Sequence, residues 1–210
     1  MSAQRERRLT LMRKSEAIDG WHSRGYLPHF DGPETPQFVT FRLGDSLPQS
    51  MLEKWRIELK QESDSNRDVE LRRRIETYLD QGHGACYLRD PRVAKLAQDS
   101  LLFFDSERYS LSSWVIMPNH VHILITPFPG HKLSRILQSL KSYIANEANT
   151  ILDRRGQFWQ QESFDRYIRN LKHWNSVVQY IENNPVKAGL CKSPEDWPFS
   201  SAWFRARQPQ

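Results

Sequence analysis

The chain has 210 residues, enough for one domain with a real core; its hydrophobic fraction of 38% is low, but seven Trp, seven Tyr and ten Phe can supply large buried areas. Two cysteines, Cys86 and Cys191, are too few for a disulfide framework or a zinc knuckle, which favours a reducing cytoplasm, and no apolar run is long enough to span a membrane. A formal net charge of +5 favours phosphate-bearing partners over acidic-surface repulsion.

Residues 1–20 carry Arg5, Arg7, Arg8, Arg13 and Lys14 with few large apolar groups, and read as a basic arm without the apolar stretch of a secretory signal. One folded domain is expected over 21–203, with a tail at 204–210. Residues 25–36 read as loop, 37–43 alternate as a strand, 44–48 turn, and 50–60 have helical spacing through Met51, Leu52, Trp55 and Leu59. Residues 61–68 are polar and read as an exposed insertion before a second helical stripe, Leu71, Ile75, Tyr78 and Leu79. Gly82-His83-Gly84 breaks it; His83 is either a ligand or an ordinary loop histidine.

Asp90-Pro91 starts a helix, Asp as N-cap and Pro at the first position, running to about 104. Residues 108–117 read as a strand, Pro118-Asn119 as a turn, and the following Val- and Ile-rich run as its hairpin partner, closed by Thr126-Pro-Phe-Pro-Gly130. A helix follows over 133–152. Residues 158–169 mix aromatics with Arg166 and Arg169, which suits either single-stranded nucleic acid or an amphipathic segment. The last long helix is predicted over 171–184, ended by Pro185. The order strand, helix, helix, strand, strand, helix, helix predicts an α+β, ferredoxin-like antiparallel sheet with helices packed on one face and the hairpin at its centre.

The chemistry concentrates at His120 and His122. Positions i and i+2 of a strand share a face, so both imidazoles leave the sheet side by side and Val121 points to the opposite face. Such a pair is either two satisfied sheet histidines or two ligands of one divalent ion. Tyr180 and Asn184, at i and i+4, share a helix face and could bring an amide oxygen and a phenol to that ion. The constellation suits tyrosine attack on a phosphodiester. Tyr143, with Glu147 four residues on, is the rival nucleophile, but it borders the apolar stripe of Ile136, Leu140 and Ile144 and is expected to be packed. Arg166, Arg169, Lys172 and Lys187 are candidates for phosphate contact, with Trp159 stacking on a base.

Trp114-Val-Ile-Met-Pro-Asn-His-Val-His-Ile-Leu resembles the motif of the IS200-like transposases, the HUH single-strand nucleases. Trp159-Gln, Asp165-Arg-Tyr-Ile-Arg169, Tyr180-Ile-Glu-Asn-Asn-Pro-Val-Lys-Ala-Gly-Leu190 and Trp197-Pro-Phe-Ser-Ser201 resemble their REP-associated tyrosine transposase branch. The resemblance covers roughly residues 20 to 203. It implies a ferredoxin-like catalytic domain, a Mg or Mn ion on His120, His122 and Asn184, and Tyr180 as nucleophile. The implied activity is cleavage and rejoining of single-stranded DNA beside a hairpin of repetitive palindromic type, through a 5′-phosphotyrosine, by a monomer or homodimer in the cytoplasm or on the nucleoid. The alternatives are a DNA-hairpin-binding protein without catalysis and a metal-dependent nucleotide hydrolase; for the latter no Gly-rich phosphate loop follows Ile125. The polar stretch at 61–68 departs from the family pattern.

Overall fold

The structure, a computed structural model, describes residues 21–23, 28–30 and 34–208; the basic arm expected at 1–20 lies outside them. A two-stranded ribbon, β1 (Trp21–Ser23) and β2 (Pro28–Phe30), stands before the main sheet. That sheet holds β3 (Gln37–Arg42), β4 (Tyr109–Ile116), β5 (His120–Pro127) and β6 (Phe164–Tyr167) in the order β4-β5-β3-β6, all neighbours antiparallel. With the helices α3 (Pro91–Phe103) and α4 (Leu133–Ile151) as crossovers, this is the expected ferredoxin-like topology.

Sequence reading missed β6. Its four residues are too short for alternation to stand out, and its pairing with β3 is what makes it a strand. The hairpin is also not central: β5 is interior but β4 is an edge. The C-terminal segment covers that edge. Ile116 N–H donates to the Phe199 carbonyl at 2.9 Å, and the Trp197 indole N–H to the Ile116 carbonyl at 2.9 Å. The packed part of the chain extends past 203, through a helix that ends at Ala206. Helix α6 (Ser201–Ala206) places Phe204 against Trp114 with ring centroids 5.5 Å apart.

Alternation along β3 and β5 builds two different faces. Val39, Phe41, Val121, Ile123 and Ile125 point to α3 and α4, which bury Val93, Ala97, Leu101, Ile136, Leu140 and Ile144 against them. Asp90 caps α3 as expected, its carboxylate accepting from Arg92 N–H. Helices do not pack on one face alone, however. Helix α5 (Leu171–Lys187) lies on the opposite face, where Trp174, Val177 and Ile181 meet Phe38, Val115, Met117 and Leu124.

Pro185 does not end α5. It sits inside the last turn, where only one backbone hydrogen bond is forgone, and the helix runs on to Lys187. Gly189 ends it at φ +70, with Gly189 N–H bonded to the Val186 carbonyl at 3.0 Å and Leu190 N–H to the Pro185 carbonyl at 2.8 Å, a Schellman closure.

Between β3 and α3 stand α1 (Gln49–Glu58) and α2 (Asp64–Asp80). Most of the expected polar insertion is the first turn of α2. The two helices are joined by a Trp55–Tyr78 edge contact at 5.8 Å and an Arg74–Glu58 ion pair.

Candidate functional site

His120 and His122 leave β5 on the α5 face and are fully buried. Their Nε2 atoms face each other at 3.0 Å. Each Nδ1 has its own partner: Asn119 Oδ1 at 2.7 Å for His120, and Thr40 Oγ1 at 2.7 Å for His122. Thr40 is there because β3 pairs with β5 in the register Thr40↔His122. The Asn119 amide N–H₂ donates to the carbonyls of Leu79 at 3.2 Å and His83 at 2.9 Å. Its Oδ1 can therefore only accept, which puts the His120 proton on Nδ1 and leaves Nε2 a lone pair. Burial pushes the His120 pKa down to about 3 and, with His120 beside it, that of His122 well below the ordinary histidine value. Both rings are neutral at pH 7, the state that can ligate a metal.

Helix α5 supplies the rest. The Tyr180 ring lies edge-on to Phe38 at 5.7 Å and to His122 at 5.4 Å. Its hydroxyl is buried and makes no hydrogen bond of standard geometry. Burial, then the carboxylates of Glu76 and Asp80, raise its pKa above the usual phenol value. One turn on, Asn184 is fully buried, and neither its Oδ1 nor its Nδ2 makes a hydrogen bond of standard geometry, although its side chain lies beside the Tyr180 hydroxyl. Two unsatisfied amide atoms in a packed interior cost about 1–3 kcal/mol each, so a ligand at this position has a physical reason. Two imidazole Nε2 atoms converging at 3.0 Å and an amide oxygen of Asn184 on the helix packed over them offer a donor set that a divalent ion could use in place of the hydrogen bond between the rings. No group of three or more His, Cys, Asp and Glu among the described residues could hold a metal ion, so an ion at the histidine pair would need a further ligand such as this amide.

Lys187 closes the site at the end of α5. It pairs with Asp80 at 2.7 Å, and its Nζ lies 5.8 Å from the Tyr180 ring centroid. It is thus a strut between α5 and α2, with its charge already partnered. Arg42, directly across from His120 in the β3–β5 register, brings a guanidinium to the same face, and its buried Nε has no partner.

The other sequence-nominated residues separate. Arg166, Arg169 and Lys172 are exposed along β6 and the start of α5, and Arg72 of α2 reaches the same patch, 4.7 Å over the Phe164 ring. Trp159 does not belong to that surface. It is 6% exposed, packed edge-on against Phe41 at 5.0 Å and Phe158 at 4.8 Å, so it offers no face to a base. Tyr143 is not packed as expected but 54% exposed, on the helix behind the sheet, away from the histidines. His83 is an exposed loop residue stacked on Tyr78 at 4.0 Å and hydrogen-bonded to Gln81.

Sequence reasoning missed Asn119, Thr40, Arg42 and Glu76. Asn119, read as a turn residue, had one available signal: an amide immediately before the first histidine. The others reach the site only through strand register and helix packing.

The family described as "Transposase IS200 like" matches residues 95–184, a span that opens within α3 and closes on Asn184. It takes in both histidines and Tyr180. Residues 95–184 are thus similar to that family. Over 94 residues, 44% of the chain, it is 31% identical to a REP-associated tyrosine transposase of Escherichia coli (strain K12). Over 96 residues, 41% of the chain, it is 28% identical to a putative REP-associated tyrosine transposase of Haemophilus influenzae. It spans about half the length of these curated relatives, 54% of each. A solved REP-associated tyrosine transposase bound to a REP hairpin shares the fold, with a TM-score of 0.56, 20% identity and 89% of each chain covered. The matched span leaves out β3 and α2, so Thr40, the partner of His122, and Asp80, the partner of Lys187, come from outside it.

Proposed function

We propose that this chain is a metal-dependent tyrosine transposase that cuts and rejoins single-stranded DNA beside a hairpin. The observation that carries this reading is the convergence of a buried neutral histidine pair, the buried Asn184 amide and the buried Tyr180 hydroxyl on one sheet face, the last two without hydrogen bonds of standard geometry. His120, His122 and Asn184 would hold a divalent ion, Mg or Mn, with imidazole ligands favouring Mn. When bound, such an ion supplies Lewis-acid polarisation of a phosphoryl oxygen.

The chain's own groups do the remainder. Tyr180 attacks the phosphorus of a phosphodiester, the bond to the 3′ oxygen breaks, and the 5′ phosphate stays on the tyrosine. The phosphate-bound energy is kept for rejoining. Phe38 and His122 hold the phenol ring in place by edge contacts, so little ordering remains to be done when DNA arrives. Arg166, Arg169 and Lys172 form an exposed basic strip leading to the site, suited to phosphate contact. The chemistry of its relatives and the REP hairpin bound to the protein of the same fold support a hairpin substrate.

The test is covalent capture. The protein is mixed with a labelled DNA hairpin bearing single-stranded flanks, with Mn present, and adducts are resolved under denaturing conditions. Wild type and Tyr143→Phe should form the adduct; Tyr180→Phe should bind DNA and form none. An adduct that persists in Tyr180→Phe and vanishes in Tyr143→Phe would move the chemistry to Tyr143 and Glu147. No adduct from any form, with hairpin binding intact, would leave a hairpin-binding protein.

A further inference from the structure

We infer that α1 and α2 together form a lid over Tyr180 that has to lift to admit a DNA strand, an inference that rests on Tyr180 being the nucleophile. Attack requires phosphorus to come within about 3–3.5 Å of the phenolic oxygen. That oxygen is sealed from solvent, and both histidines and Asn184 are fully buried. A phosphodiester cannot be seated there with every element where it stands. One of the elements around the phenol has to give way.

Helix α2 lies across it. Residues 72, 76 and 80 follow at four-residue spacing and share one face of the helix. The first and last reach the body on either side of the tyrosine. Arg72 sits 4.7 Å over the Phe164 ring, which leads through Phe38 to Tyr180 by edge contacts at 6.3 and 5.7 Å. Asp80 pairs at 2.7 Å with Lys187, whose Nζ is 5.8 Å from the Tyr180 ring centroid. The stretch between these two anchors, about 12 Å of helix, therefore runs over the phenol.

The body holds α2 weakly and α5 strongly. Among the described side chains of α2, Leu79 alone is buried. A cation over a ring and a partly exposed ion pair each contribute little. Helix α5 instead buries Trp174, Val177, Ile181, Asn184 and Pro185. Its Glu182 carboxylate accepts from Ser201 Oγ at 2.8 Å, Ser113 Oγ at 3.3 Å and the Arg205 guanidinium at 2.7 Å, which lock α5 to β4 and α6. The part that yields is α2, and it moves with α1, to which the Trp55–Tyr78 and Glu58–Arg74 contacts join it. The hairpin leaves and re-enters the body at neighbouring points. Ala85 N–H donates to Asp45 Oδ2 at 2.8 Å, and a Cβ on Gly84, at φ +87, would lie 2.9 Å from the Asp45 carbonyl oxygen. Two chain ends fixed side by side make a hinge along one edge. Both helices lie outside the matched IS200-like span, so the lid belongs to what this chain adds around the site.

The test locks the lid. Arg72→Cys and Phe164→Cys are combined with Cys86→Ser and Cys191→Ser, and the new pair is joined by a short reducible bis-thiosulfonate linker before DNA is added. Joining should slow adduct formation on the flanked hairpin with Mn by about 100-fold, and reduction should restore it. A linked protein that forms the adduct as fast as the unlinked one would overturn the lid while leaving Tyr180 in place. No adduct from wild type would overturn the tyrosine reading and this one with it. A second measurement needs no linker and no chemistry. In a Tyr180→Phe background, Arg72→Gln loosens the closed form and also removes a positive charge. Fewer closed molecules should tighten binding of the flanked hairpin by about 3-fold, although loss of a cation by itself would weaken it. Binding of a hairpin without flanks should show no such gain. Equal or weaker binding of the flanked hairpin would overturn the inference.

Discussion

The two faces of the sheet are made by the same strands and obey different rules. On the α3 and α4 side, Val39, Phe41, Val121, Ile123 and Ile125 pack against Val93, Ala97, Leu101, Ile136, Leu140 and Ile144, with the Gln37 amide and Trp159 Nε1 buried there without partners. On the α5 side, in the alternate positions, Thr40, Arg42, His120 and His122 stand among Phe38, Leu124 and Met117. There the buried atoms without partners include the Tyr180 hydroxyl, the Arg42 Nε and both polar atoms of Asn184. A fold selected for stability alone would pair those groups or replace them with carbon. The first face holds the sheet together; the second is held ready by the first.

That contrast can be broken most forcefully at the histidines. Changing His120 and His122 together to Ala should remove adduct formation, a loss of about 1,000-fold or more. The same protein should stay folded, because the opposite face is untouched. Mn should raise the thermal midpoint of wild type and leave that of the double variant unmoved. A double variant that still cuts at the wild-type rate would place the metal elsewhere.

The converse change is Ile123→Ala, one residue along the strand and facing the other way. It should cost about 2–5 kcal/mol of stability by leaving a cavity between β5 and the crossover helices. Adduct formation per folded molecule should stay near wild type. Denaturant titration beside the capture assay reads both. Loss of chemistry in a variant that remains fully folded would mean the two faces are less separable than their packing indicates.

The smallest effect belongs to the exposed strip. Arg169→Ala should weaken hairpin binding modestly and reduce the salt slope of log affinity by about 1. A salt slope identical to wild type would remove Arg169 from the phosphate path and leave Arg166 and Lys172 to carry it.

How much of this could be read from the chain depends on the range of the interactions. Local rules were enough for Asp90-Pro91 at the start of α3, for the 133–151 stripe of α4, and for the projection of His120 and His122 from one face with Val121 behind. Four-residue spacing was enough to place Tyr180 and Asn184 together. Local rules failed where neighbours decide. Pro185 reads as a stop, yet the last turn of a helix tolerates it and Gly189 makes the stop. Trp159 looks like a stacking platform beside Arg166 and Arg169, but it lies on the buried side, against Phe41. Tyr143 looks packed because its neighbours Leu140 and Ile144 are, though it faces solvent. Glu76, 104 positions before Tyr180 in the sequence, carries no local sign at all.

Asn119 has a consequence for how the site comes and goes. Its amide is a fork: one tine fixes the His120 ring, and the others grip the carbonyls of Leu79 and His83, where α2 ends. A displacement of α2 would therefore remove together the acceptor beside His120 Nδ1 and the Asp80 partner of Lys187.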